Sequence, residues 1–220
     1  RTSHGLILAE GGAKMSKSRD NIVSPDDIVK IVGADSLRLY EMFMGPFDQP
    51  IVWNTDNIAG VRRFIERVWK MREKVVQKMD EKNDDFVLIN KIIHKAIKKV
   101  SDDIEAMRFN TAISALMITF NELEKFRVVD IEQYGVFLKL LAPFAPHVTE
   151  ELWASLNHKN SIHTTEWPMY DPVLAIDSQT TIVVQINGKM RGSFTVPIDI
   201  SKEELENRAR TLPESAKWLE

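Results

Sequence analysis

The sequence predicts a mainly α protein: a helical bundle preceded by a glycine-led basic loop and followed by a small, incomplete α/β unit. Three observations carry that reading. Apolar residues recur at three- and four-residue spacing through most of residues 56–157, the pattern of helices that each bury one face. The texture then turns β-branched on both sides of Asn187-Gly188, a dipeptide suited to tight hairpin turns. Finally, the 220 residues are 44% hydrophobic and 28% charged, which suits a soluble globular core in one large or two smaller domains.

The elements follow in order. Ser24 as N-cap, Pro25 at the first helical position and Gly33 as terminator frame a short helix. Residues 35–44 continue as a second helix, stopped by Gly45-Pro46. From Asp56 to Met79 the residues Ile58, Val61, Ile65, Val68, Met71, Val75 and Met79 form one stripe, predicting a single long helix. A second stripe runs through Phe86, Ile89, Ile93, Ala96, Val100 and Ile104, and a third through Ile113, Leu116, Met117, Phe120 and Leu123. Residues 131–142 and 146–157 add two more helices, split by LAPFAP, whose Pro143 and Pro146 force a break. Five helices with short connections read as a bundle. Beyond about residue 172, TTIVVQINGKMRGSFTV reads as a hairpin, and Ser201 with Glu204 three residues later reads as a capping box. The chain thus divides into 1–45, 46–172 and 173–220, and its abrupt ends read as those of a piece of something longer.

Composition narrows the function. With no cysteine, neither a disulfide scaffold nor a cysteine-based zinc site is possible, which fits a reducing cytoplasm. No metal-ligand spacing is present, so no resident metal is expected. No apolar run approaches the roughly 20 residues of a membrane span, and no signal-peptide core opens the chain, so no membrane partner is expected. The net charge is −3, but it is unevenly spread. Residues 61–99 hold twelve Lys or Arg against six Asp or Glu, whereas residues 101–150 hold four against eight. One part of the molecule can therefore face a large polyanion.

Within the basic stretch, Arg63, Arg67, Lys70, Lys74 and Lys78 recur every three or four residues, as do Lys91, Lys95 and Lys98. Each set is predicted to line one helix face and to track a nucleic-acid backbone, although Glu66 and Glu73 interleave as they would on an ordinary solvated face. The hairpin adds a basic pair, Lys189 and Arg191. Trp53, Trp69 and Trp153 lie in apolar patterns and read as core. His4 and His163 read as surface residues, and His147, just after Pro146, as a capping or packing residue.

The loop GGAKMSKSRDN, residues 11–21, carries the sharpest signal. Lys14-Met15-Ser16-Lys17-Ser18 spells KMSKS, a signature of class I aminoacyl-tRNA synthetases. GADSLRLYEMFMGPFDQPIVW, FIERVWK, LAPFAPHVTEELW and VVQINGKMRG follow it in the order of the synthetases for branched aliphatic amino acids. The last of these resembles the leucyl branch of bacterial type, so nearly the whole chain resembles the carboxyl-terminal part of that family.

The resemblance implies that the bundle is of the class I anticodon-binding type, that the loop ends a nucleotide-binding domain, and that the final unit binds the tRNA elbow. It implies a ligase that activates leucine with ATP, with Mg²⁺, and transfers it to tRNA. Residues 14–18 would hold ATP, with Lys17 and then Lys14 catalytic. Physically, negative charge grows on the phosphates as pyrophosphate leaves, and preorganised cations at that point are a large catalytic contribution. Gly11 and Gly12 would serve as a hinge between open and closed states.

The chain departs from the family in reading SRDN where SKGN is expected, so that Asp20 stiffens the loop and adds negative charge. No HIGH sequence occurs, so this stretch alone is not expected to aminoacylate. Valyl, isoleucyl and methionyl enzymes, and a purely RNA-binding module, are the alternatives. Oligomeric state is not legible.

Overall fold

The computed structural model describes residues 3–175, 179–197 and 200–213. Its contacts divide the chain into two units, residues 1–175 and 176–220.

The first unit begins with β1 (Ile7–Leu8), the basic loop, α1 (Pro25–Val32) and α2 (Ala34–Phe43), and returns through β2 (Ile51–Val52), which pairs in parallel with β1. Pro25 opens α1 with Asp26 and Asp27 in its first turn, where acids meet the positive end of the helix dipole. Gly33 then ends α1 at φ 88°. The bundle comprises α3 (Ile58–Met71), α4 (Asp84–Glu105), α5 (Phe109–Leu123), α6 (Ile131–Leu141) and α7 (Pro146–Ser155), with a short α8 (Pro172–Ala175) packed on α4. Its core includes Val68, Ile89, Val100, Leu116, Phe120, Phe137 and Leu152, which are sealed from solvent. Phe64 meets Phe120 edge-on at 5.6 Å, and the buried Tyr134 hydroxyl donates to the Val68 carbonyl at 2.7 Å. Trp53 and Trp153 are buried, as their apolar settings predicted.

The long helix expected from Asp56 to Met79 is shorter than that. Its α-helical part ends at Met71, a 3-10 turn covers Arg72–Lys74, and β3 (Val75–Val76) pairs in parallel with β4 (Val129–Asp130). The apolar stripe runs on because Met79 is still buried and Val75 still packs on the core, now from an extended chain. Asp130 fixes the new course. Its carboxylate accepts the Met79 N–H at 2.8 Å and the Glu132 N–H at 2.9 Å, so one side chain holds the turn and caps α6.

The second unit contains a hairpin, β5 (Gln179–Ile186) and β6 (Lys189–Pro197), and α9 (Lys202–Thr211). Asn187 and Gly188 turn the chain with φ of 52° and 73°, the two positive values a tight hairpin turn needs. The Ser201 hydroxyl accepts the Glu204 N–H and caps α9.

Candidate phosphate loop and nucleic-acid interface

The KMSKS segment sits on a scaffold of backbone bonds. Gly11 and Gly12 take φ of 83° and 81°, and the turn they form is closed by Ala9 N–H to Ala13 C=O at 2.8 Å and Gly12 N–H to Ala9 C=O at 2.9 Å. The chain then runs back so that Lys14 bridges antiparallel to Leu8. Met15 is half-buried against the core, which anchors this end. A 3-10 turn, Lys17–Arg19, follows, and Asp20 leaves it in the left-handed region at φ 50°, ψ 35°. That conformation explains a glycine preference at this position, and Asp is among the few other residues that adopt it readily.

The side chain of Asn21 reaches back across the loop. Its Oδ1 accepts the Ser16 N–H at 2.8 Å and its Nδ2 donates to the Lys14 carbonyl at 3.3 Å. Ser16 and Ser18 lie hydroxyl to hydroxyl at 3.2 Å. Lys14 and Lys17 are exposed, and neither ammonium has a hydrogen-bond or ion-pair partner among the described residues. A loop of this shape offers two uncompensated cations, two hydroxyls and a fixed turn, which is a surface for an anion. Among the described residues no group of three His, Cys, Asp or Glu could hold a metal ion, and none of the described helices is long and apolar enough to cross a membrane.

The basic stripes fare unequally. Arg63 and Lys70 are exposed on α3 without a side-chain partner. Arg67, between them, is already engaged: its guanidinium holds the Glu124 carboxylate, donates to Asn121 Oδ1 at 2.7 Å and lies 5.3 Å over the Phe120 ring. The hydrogen bond to Glu124 raises its pKa above the usual arginine value. Lys74 is off the helix, half-buried, and donates to the carbonyls of Glu124 at 2.7 Å and Phe126 at 3.1 Å. It thus satisfies the open carbonyl end of α5. Lys78 is exposed but lies past β3, so the first set does not line one helix face as predicted. Lys91, Lys95 and Lys98 do share a face of α4. Of these Lys91 is exposed, Lys95 is half-buried, and Lys98 pairs with Asp102 at 2.6 Å and lies over Tyr170.

In the hairpin, Lys189 is exposed beside the turn. Arg191 is the extra residue of a bulge, because Gln185 pairs with Met190 and Val184 with Gly192. A bulge re-aims the side chain it carries. Trp69, read as core, is only half-buried: Arg72 lies 4.3 Å over its ring, and with Ile65, Lys70 and Val148 it lines a groove of about 470 Å³.

Two residues that the sequence reading passed over prove structural keys. Asn21 is one. The other is Asp35 on α2, whose carboxylate accepts the N–H groups of His147 at 3.2 Å and Val148 at 2.6 Å and meets His147 Nδ1 at 2.7 Å. Asp35 therefore caps α7 from 112 residues away, and His147 belongs to that cap. Only the SRDN stretch, which keeps the final Asn of the SKGN expected of the family, could have pointed to Asn21; nothing local points to Asp35.

Comparison with known proteins agrees with this architecture. Residues 2–53 match the model of class I tRNA synthetases (I, L, M and V). The leucine–tRNA ligases of Chlorobaculum tepidum and Chlorobaculum parvum are each 45% identical to the chain over 99% of its length. The chain spans 27% of the length of these curated relatives. A ternary complex of Agrobacterium radiobacter K84 LeuRS with tRNA and LeuAMS superposes with a TM-score of 0.77 at 29% identity, covering 98% of this chain and 30% of that one. A Mycobacterium tuberculosis methionyl-tRNA synthetase bound to methionyl-adenylate matches with a TM-score of 0.56 at 19% identity, covering 68% of this chain and 36% of that one, which speaks for the fold alone. Residues 88–206, more than half of the chain, match the anticodon-binding domain of tRNA ligases, and the chain belongs to that family.

Proposed function

We propose that this chain is part of a leucine–tRNA ligase, a cytoplasmic enzyme that activates leucine with ATP and transfers it to tRNA. The observation that carries the reading is the 45% identity to leucine–tRNA ligases over 99% of the chain, joined to a KMSKS loop whose two lysines stand exposed and unpartnered. Residues 1–45 close the catalytic domain, 46–172 form the anticodon-binding-type bundle, and 173–220 begin a carboxyl-terminal tRNA-binding unit.

The chemistry follows from the loop. The leucine carboxylate attacks the α-phosphorus of ATP and pyrophosphate leaves, so negative charge develops on the departing oxygens. Lys17 and Lys14 meet that charge, and Ser16 and Ser18 donate to phosphate oxygens. Mg²⁺, where bound, would be held by the ATP phosphates and would share in neutralising their charge; among the described residues no group of three His, Cys, Asp or Glu would hold it. On the bundle, the phosphates of tRNA meet the cations that solvent reaches, Arg63, Lys70, Lys78 and Lys91, flanked by Lys95. Arg67 and Lys74 act instead in holding α5. Lys189 and Arg191 serve the second unit. Amino-acid-dependent exchange of pyrophosphate into ATP by the full-length protein, run in parallel with leucine, isoleucine, valine and methionine, tests the reading. Exchange driven by leucine supports it; exchange driven by another of the four, or by none, overturns it.

A further inference from the structure

The segment from Lys14 to Asn21 is weakly held by its own backbone. Its only internal main-chain bonds are long ones, Arg19 N–H to Ser16 C=O at 3.2 Å and Asp20 N–H to Lys17 C=O at 3.3 Å. Lys14 is fixed from outside by its bridge to Leu8, and Met15 by the core. Lys17 has no such anchor, and it is the cation the chemistry needs most. What spans the gap is Asn21, whose amide takes a donor from Ser16 and gives one to Lys14, at 2.8 Å and 3.3 Å. A carboxamide suits that pairing, since one of its atoms accepts and the other donates. Asp20 helps by turning the chain left-handed immediately before it, so that the side chain of Asn21 faces back across the loop.

We propose that Asn21 is a positioning residue for this reaction: it closes residues 14–21 into one preformed turn and thereby sets Lys17 at a fixed place relative to Lys14. The inference rests on the reading of the loop as an ATP-phosphate loop. Asn21 touches no phosphate in this account; it acts through the lysines. Preorganised charge is effective because no reorganisation remains to be done at the moment of reaction, and a misplacement of about 1 Å can lower a rate by about 10²-fold.

The test has two arms. In the 220-residue chain, amide hydrogen exchange of Ser16 is followed in Asn21→Ala. Its protection should fall by about tenfold or more while the amides of α3 to α7 keep theirs. In the full-length protein, Asn21→Ala should lower kcat of leucine-dependent pyrophosphate exchange by about 10 to 10²-fold with KM for leucine unchanged. In a Lys17→Ala background the same change should lower kcat by no more than about two- to threefold, because residues acting as a unit are not additive. An unaltered or raised kcat in Asn21→Ala overturns the proposal, as does a loss that is equally large with and without Lys17, or an unaltered Ser16 exchange. If Lys17→Ala itself leaves kcat unchanged, the phosphate-loop reading fails and this inference falls with it. If Lys17→Ala lowers kcat and Asn21→Ala does not, the positioning role alone is refuted.

Discussion

Arg67 and Lys70 lie three residues apart on one face of α3, and the proposal gives them opposite jobs because Arg67 is engaged with Glu124 and Asn121 while Lys70 faces solvent. Replacing Arg67 by Ala removes an ion pair whose side chains are 43% and 33% exposed, a hydrogen bond to Asn121 and a guanidinium over Phe120. A half-exposed pair contributes about 0.2–1 kcal/mol, the hydrogen bond about 0.5–1.5 kcal/mol, and the ring contact about 0.5–1 kcal/mol. These share the same atoms and do not sum. Arg67→Ala should therefore destabilise the chain by about 1–2 kcal/mol, whereas Lys70→Ala, with no partner to lose, should stay within about 0.5 kcal/mol. Urea unfolding followed by far-ultraviolet circular dichroism reads both. Titration of tRNA at several salt concentrations should show the reverse order. Lys70→Ala should reduce the slope of log affinity against log salt by about 0.9, one phosphate's worth, and Arg67→Ala should leave it unchanged. An Arg67→Ala variant of full stability with a reduced slope would refute the assignment.

Asp103 is fully buried. Burial raises its pKa, but hydrogen bonds from Lys99 and Thr111 and the charges of Lys99 and Arg108 outweigh that, so its carboxyl titrates below the usual range. A depressed folded value means stability present above the unfolded pKa, about 3.9, and lost as pH falls through the lower folded value. Asp103→Asn should lower stability at neutral pH and flatten this part of the acid dependence, read from urea midpoints across an acid series. Asp35→Ala, which uncaps α7 and frees His147, should lower stability by about 1–2 kcal/mol in thermal unfolding. Asp20→Val should speed amide exchange at Ser16 and Asp20, because a β-branched residue in the left-handed region costs about 1–2 kcal/mol; Asp20→Gly should not.

Much of this architecture was readable because it is locally encoded. Pro25 and Gly33 bound α1 as expected, Asn187-Gly188 makes the hairpin turn, and Ser201 caps α9. The helix stripes also named most of the core, down to the half-buried Val75 and the buried Met79, although Phe86 lies outside it, and they misplaced the end of α3. Periodicity reports which residues are buried, and a chain that leaves a helix for a short strand can keep burying the same residues. The course of residues 75–79 is set by Val129 and Asp130, more than 50 positions away, as the cap on α7 is set by Asp35. Spacing likewise could not separate Arg67 and Lys74, bound to the end of α5, from Lys70, which faces solvent. Charge patterns list cations; only the fold shows which of them are already in use. At the loop, KMSKS named the lysines, while the role of Asn21 depends on a turn that Asp20 completes.

The central claim is that Lys17 stabilises charge on the leaving pyrophosphate during leucine activation. Leucine-dependent pyrophosphate exchange by the full-length protein carrying Lys17→Ala tests it most directly. Removing a cation that acts in the transition state should lower kcat by about 10²-fold or more with KM for leucine little changed. A variant with wild-type kcat, or one whose only defect is a raised KM for leucine, would contradict the account.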